Sequence, residues 1–303
     1  MKIVAFLNPK VGVGCTSLVY HLAWMYSELG YRVVAVDADP QADLSGMFLG
    51  FDRARWLHHA EPGDRAPASL GHALQFGTNG AAGYTWAIAS GLDFVASSGL
   101  YLEHIADDIG ARLRRCLLAI AAARDADLIL LDAGAGIGAC AGRAAVSSDS
   151  LIIPTSGDAP SEEGLSALLV EHGRVLAHWS SFVASATDPA APHADAPADR
   201  AWLGAGPSLL GYVLTGESHY AGFTFPNQGD RAPNPGEALE HLGTLRRHPS
   251  LRDLSLQARK PMFALTPADG ALGSITVAVQ RCRSEYADLA RHVADRLGLA
   301  APR

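Results

Sequence analysis

Lysine is almost missing from this chain. Lys2, Lys10 and Lys260 stand against twenty-one arginines in 303 residues, so a lysine falls at any given position about once in a hundred. One found inside a motif is therefore read as kept for its chemistry. Cysteine is also sparse: Cys15, Cys116, Cys140 and Cys282 form no C-x-x-C pair. That excludes the usual zinc and cluster spacings and suits a reducing compartment. No apolar run reaches membrane-spanning length, and no signal-peptide pattern precedes the first strand-like run, so a cytoplasmic protein without membrane insertion is expected. Net positive charge is absent too. At −7, the chain is not coated in basic surface, and contact with nucleic acid would need a local patch. No internal repeat is found.

What is present is a large apolar fraction, 49% of the residues, enough for a sizeable core. Short β-branched or apolar runs at 2–7, 33–36, 93–96, 128–131, 151–153 and 209–213 read as strands. Helical periodicity covers 16–29, 106–124, 162–178 and 275–297. Because both faces of the strands are apolar, the expected fold is α/β, a mostly parallel doubly wound sheet covered on both sides. Residues 1–303 are read as one domain with surface insertions near 183–207 and 216–250. In the second, His219, Tyr220, Phe223 and Phe225 suggest a partner-binding or nucleotide-lid loop, with an irregular capping loop as the plainer account.

The strand-like run 2–7 leads into N-P-K-V-G-V-G-C-T-S at residues 8–17, and a helix-like run follows with Leu18, Leu22, Met25 and Leu29 on one face. Gly30 is placed as its C-terminal stop. Strand, glycine-rich turn and helix N-terminus make the setting of a phosphate-binding loop, in which backbone N–H groups and the helix dipole hold phosphate oxygens. The usual pattern is G-x-x-x-x-G-K-[ST]. Here Pro9 occupies the first glycine position and Cys15 the lysine position.

The loop resembles that of the ParA/MinD family of ATPases, K-G-G-x-G-K-[ST]-[ST], whose early signature lysine is matched by Lys10. Gly12, Gly14, Thr16 and Ser17 match later positions, while Val11 and Cys15 depart. Residues 33–41, V-V-A-V-D-A-D-P-Q, resemble the family strand ending in D-x-D-P-Q. Leu92–Ser97 is similar to its next strand, 127–132 (D-L-I-L-L-D) to its Walker B strand, and A-G-A-G-I at 133–137 to the MinD-like continuation. D-S-L-I-I-P at 149–154 and the segment Ala258–Ala271, with Lys260, Pro261, Pro267 and Gly270, match its closing motifs. The resemblance extends from Lys2 to about Leu297.

It implies a P-loop NTPase fold, ATP or ADP with Mg²⁺, and a nucleotide-sandwich homodimer used to position or partition a cargo through an adaptor protein. Lys10 would reach the partner's nucleotide like an arginine finger in trans, and Asp39 would orient the attacking water. Thr16, Asp37 and Asp132 would hold the magnesium shell. The nucleotide would be cradled by Lys10, Gly12, Val13, Gly14, Cys15, Thr16 and Ser17, with Thr215 and Pro249 near the base. Plainer readings are a surface lysine for Lys10 and strand-end polar or capping residues for Asp37, Asp39 and Asp132.

Loss of the loop lysine should weaken nucleotide binding by about ten- to a hundred-fold and slow hydrolysis. Cys15 itself is read either as simple loss of lysine or as a redox thiol activated by the helix N-terminus. Arg246, Arg247, Arg252, Arg259 and Lys260 resemble a late basic surface for non-specific DNA binding, or a solvated helix face. In the last helix, Leu289, Val293 and Leu297 are expected to pack on the core rather than on a membrane. The functional expectation is a slow ATPase switch. The alternative is a pseudo-ATPase scaffold acting by protein–protein contact. A small-molecule ligase or reductase component is disfavoured by the absence of cluster cysteines and by the D-P-Q motif.

Overall fold

Apolar residues alternate between the two faces of the first strand, and that alternation organises the molecule. In the computed structural model, described over residues 1–8, 10–59, 69–76, 81–97, 109–135, 147–156, 207–216 and 239–302, strand β1 is Lys2–Asn8. It turns Val4 and Phe6 to one face and Ile3, Ala5 and Leu7 to the other, all buried. Strand β5 (Leu128–Ala135) repeats the division, with Leu128 and Leu130 opposed to Ile129, Leu131 and Ala133. Strands covered on both faces belong in a parallel sheet.

The remaining strands are β2 (Val33–Asp37), β3 (Trp86–Ala89), β4 (Leu92–Val95), β6 (Ser150–Thr155), β7 (Ser208–Thr215) and β8 (His241–Leu245). The eight form one sheet in the order β3-β4-β2-β5-β1-β6-β7-β8. Every pairing is parallel except β3 with β4. Helices α1 (Cys15–Glu28), α2 (Asp43–Leu49), α3 (Phe51–His59), α4 (Leu70–Phe76), α5 (Ile109–Arg124), α6 (Pro249–Ala258) and α7 (Ser274–Leu297) complete the described residues. Leu18, Leu22 and Met25 of α1 and Leu289, Val293 and Leu297 of α7 cover one face. Leu70 and Leu74 of α4 and Leu113, Leu117 and Ile120 of α5 cover the other. The doubly wound α/β expectation is met.

The departures are local. The hairpin strand β3 was not anticipated, since Trp86–Ala89 is a short edge strand only partly buried. Strand β8 lies within 216–250, read as an insertion, because only Leu242 and Leu245 of its five residues bury their side chains. The last helix packs on the core as expected. The helix expected over 162–178, the insertion over 183–206 and the aromatic cluster 219–225 lie outside the described residues. No described helix is long and apolar enough to cross a membrane.

Helices α1 and α7 meet through a buried histidine. His21 donates from Nδ1 to the Ser17 carbonyl at 2.6 Å, and its ring stacks on Tyr286 with centroids 5.0 Å apart. Its Nε2 is buried with no partner, and burial lowers its pKa from 6.5 to about 4. Folded His21 thus stays neutral while the unfolded chain takes up a proton near pH 6.5. The stability from its neutral burial is whole above that pH and is lost as pH falls toward 4. The stability of wild type relative to His21→Phe should therefore fall by roughly 3 kcal/mol between pH 7 and pH 4, read by urea unfolding. A difference independent of pH would exclude a neutral buried His21.

Candidate functional site

The described carboxyl ends of β1, β2, β5, β6 and β7 gather on one rim of the sheet, where ligands bind in open α/β folds. From β1 the chain enters the loop that precedes α1. Gly12 and Gly14 take φ of +83° and +90°, values that suit residues without a Cβ. A Cβ added to either would meet nothing within 4 Å, so the space beside both glycines is open. Val11, in place of a family glycine, is 79% exposed and its side chain turns to solvent.

Two side chains brace this loop, and neither was read as doing so. Asn8, fully buried, donates from Nδ2 to the Pro154 carbonyl and accepts from the Lys10 N–H at 2.7 Å. Thr215, at the end of β7, donates its hydroxyl to the Val13 carbonyl at 2.5 Å. Thr215 was expected near the nucleotide base; its hydroxyl ties the loop to β7. Pro249 opens α6 and is exposed. A buried asparagine at a strand end was the available signal for Asn8.

Opposite the loop, parallel pairing aligns Asp37 of β2 with Asp132 of β5. Both carboxylates are fully buried. Asp37 accepts from the Ser45 N–H and hydroxyl, each at 2.7 Å, and from the Asp39 N–H at 3.1 Å. The Ser45 hydroxyl also accepts from the Ser97 N–H, and the Ser97 hydroxyl donates to the Asp39 carbonyl. These serines were not recognised as site residues; their signal is again polar burial at strand and helix ends. Asp132 accepts at Oδ1 from the Gly134 N–H at 3.1 Å, but its Oδ2 is buried without a hydrogen-bond partner. The Thr16 hydroxyl is near enough to favour the Asp132 carboxylate, yet burial prevails and its pKa rises to about 7. Burial first, and then Asp132, raises Asp37 as well.

Asp39 leans on the end of β5. A Cβ on Gly134, which has φ +72°, would lie 2.4 Å from the Asp39 carboxyl group. Only glycine admits the carboxylate there. Burial also raises the pKa of Asp39.

An orphaned carboxylate oxygen beside two further carboxylates and a threonine hydroxyl fits a hard divalent cation that keeps several waters. Thr16, Asp37 and Asp132 could hold one largely through water. Among the described residues no three acidic, histidine or cysteine side chains are set to clasp an ion directly.

Cys15 occupies the first turn of α1 and is 6% exposed. Burial, then Asp132 and Asp39, push its pKa well above the usual thiol value. That direction is opposite to the lowering expected of a redox thiol activated by a helix N-terminus. The Ser17 hydroxyl lies toward His21 and Tyr286 in the α1–α7 seam. Lys10 Nζ reaches Ser156 Oγ at 3.3 Å, beyond the end of β6.

The late basic residues are largely engaged. Arg246 pairs with Glu285, Lys260 with both oxygens of Asp269 at 2.8 and 2.9 Å, and the Arg259 guanidinium packs over Gly50.

A family model described as AAA domain matches residues 1–181. An uncharacterized protein of Pseudomonas putida is 30% identical over 177 residues, 58% of this chain and 64% of that one. The chain spans less than two thirds of the length of the curated relatives it matches. Among solved structures, the septum site-determining protein MinD of Pyrococcus horikoshii OT3, complexed with Mg-ADP, has a TM-score of 0.60 at 16% identity, covering 98% of this chain and 97% of that one. An ATP complex of a Cyanothece McdA variant has a TM-score of 0.64 at 14% identity, covering 99% and 97%.

Gly134→Ala should destabilise the fold by about 1–3 kcal/mol through backbone strain and displacement of Asp39, measured by denaturant unfolding. Unchanged stability would show that the contact is not enforced. Asp132→Asn tests the orphaned oxygen. Folded Asp132 holds a proton up to about pH 7, whereas an unfolded aspartate releases it near 3.8. Without a cation, the stability from Asp132 is therefore lost as pH rises through that window. Asp132→Asn should raise Tm in EDTA at pH 8 more than at pH 5, and an equal change at both would refute the assignment.

Proposed function

This chain belongs to the AAA domain family, with the ParA/MinD type of P-loop ATPase fold, and from that membership we propose that it is a nucleotide-dependent switch. It binds ATP with Mg²⁺, pairs with a second copy across the nucleotide, and turns ATP over slowly. The observation that carries this reading is the Asp39 carboxylate seated on Gly134 beside Asp132, at the same rim as the open loop before α1. The loop N–H groups and the α1 N-terminus receive phosphate. Thr16, Asp37 and Asp132 would hold Mg²⁺, which would supply positive charge to the phosphates. Asp39 positions the attacking water as an in-line nucleophile and accepts its proton. Lys10, on a loop with exposed neighbours, faces a partner subunit and neutralises charge that develops on that subunit's phosphates.

The septum site-determining role in MinD's name supports a task of the same kind here: positioning or partitioning a cargo through an adaptor protein. DNA is one such cargo. With Arg246, Arg259 and Lys260 engaged by neighbours, non-specific DNA binding would fall mainly to Arg247 and Arg252. Cys15 favours a second reading, a scaffold that binds nucleotide without turnover, since the usual lysine charge is missing from its helix.

Calorimetry with Mg-ATP, alongside steady-state hydrolysis, separates the two. For the switch, wild type binds and turns over, and Lys10→Ala lowers turnover at least ~100-fold while leaving binding within a few-fold. Binding with no turnover in wild type supports the scaffold. No binding of nucleotide removes both readings.

A further inference from the structure

Residue 15 stands where a phosphate loop ordinarily carries its cation, and what surrounds it here is acidic. Cys15 begins α1 and is buried within electrostatic reach of Asp132 and Asp39. A thiol carries no positive charge in either protonation state. Asp37, Asp39 and Asp132 all crowd the β2–β5 side of the rim, and Asp132 Oδ2 is buried there with no hydrogen-bond partner. The loop's own lysine lies on the other side. Strand β1 separates β5 from β6, and Lys10 Nζ is held at Ser156, beyond the end of β6.

The two halves of the cradle therefore differ. The inner half, built from loop N–H groups around Gly12 and Gly14 and from the α1 N-terminus, attracts phosphate whatever residue 15 is. On the nucleotide-binding reading, a terminal phosphate extending toward Asp39 and Asp132 would meet carboxylates and no cation from the helix that Cys15 begins.

We propose that Cys15 makes this site select by phosphate number, binding a nucleoside diphosphate more tightly than the triphosphate unless a divalent cation covers the carboxylates. The inference rests on the nucleotide-binding reading and deepens it. A charge-assisted contact to the terminal phosphate is worth about ten- to a hundred-fold in affinity, and here it is missing where repulsion is concentrated. Nucleotide exchange then becomes strictly cation-dependent. Mg²⁺ admits ATP, and its loss leaves ADP favoured.

The test is calorimetric titration of the full chain with ADP and with ATP at pH 8, where Asp132 is ionised, in EDTA and in Mg²⁺, for wild type, Cys15→Lys and Cys15→Ala. In EDTA, wild type and Cys15→Ala should bind ADP about tenfold or more tighter than ATP, and Mg²⁺ should close that gap. Cys15→Lys should reverse the order in EDTA. Should that variant fail to fold, Asp132→Asn serves instead, since it should narrow the ADP–ATP gap in EDTA without adding a cation. ATP bound more tightly than ADP by wild type in EDTA would overturn the proposal, as would Cys15→Lys or Asp132→Asn strengthening both nucleotides equally. Wild type that binds both nucleotides with the wrong order rejects only this inference. Wild type that binds neither, with or without Mg²⁺, rejects the nucleotide-binding reading and this inference with it.

Discussion

Two carboxylates buried side by side constrain everything else at this rim. Parallel pairing of β2 with β5 places Asp37 level with Asp132, and burying two like charges in low dielectric is unfavourable unless each is hydrogen-bonded, protonated or matched by a cation. Asp37 is satisfied by Ser45 and by the Asp39 N–H, and Ser45 is in turn held by Ser97. Asp132 is only half satisfied. The unmatched carboxylate oxygen at this rim is thus Asp132 Oδ2.

The sheet makes this concentration tolerable. Strands β1 and β5 are covered on both faces by Leu, Ile, Val and Phe side chains, so a rigid apolar scaffold holds the acidic ends in place. Apolar burial is the large favourable quantity in such a domain, and a few unmatched polar groups at one rim are a small deduction from it. The same packing leaves His21 neutral in the α1–α7 seam, linking the residue after Thr16 to the far end of the chain through Ser17 and Tyr286. The phosphate-loop helix and α7 therefore share one buried contact set.

Cys15 changes the character of a familiar loop. With lysine at that position, the acidic rim would carry its own counter-charge. With a buried thiol, the counter-charge must come from a divalent cation, from a proton, or from a second subunit. On the proposed reading, cation and partner would matter more to this chain than to a protein with the full motif, for a slow switch and for a gated scaffold alike.

Much of this was legible in the residues themselves. Alternating apolar runs specified the parallel sheet, because a strand buried on both faces leaves no polar face to expose. Glycine spacing and the D-x-D-P-Q run located the loop and its acidic partners. The edge strands β3 and β8 were not legible, since half-exposed strands of four or five residues carry too little periodicity. Nor were the bracing contacts: Thr215 with Val13 is separated by 202 residues and Asn8 with Pro154 by 146, and Asp39 meets Gly134 only because β2 and β5 are neighbours. Local sequence determines which residues can turn, pair or carry charge. Which carboxylate is left without a partner, and whether a thiol at a helix start is activated or silenced, depends on desolvation by groups distant in the chain, and that only the tertiary packing decided.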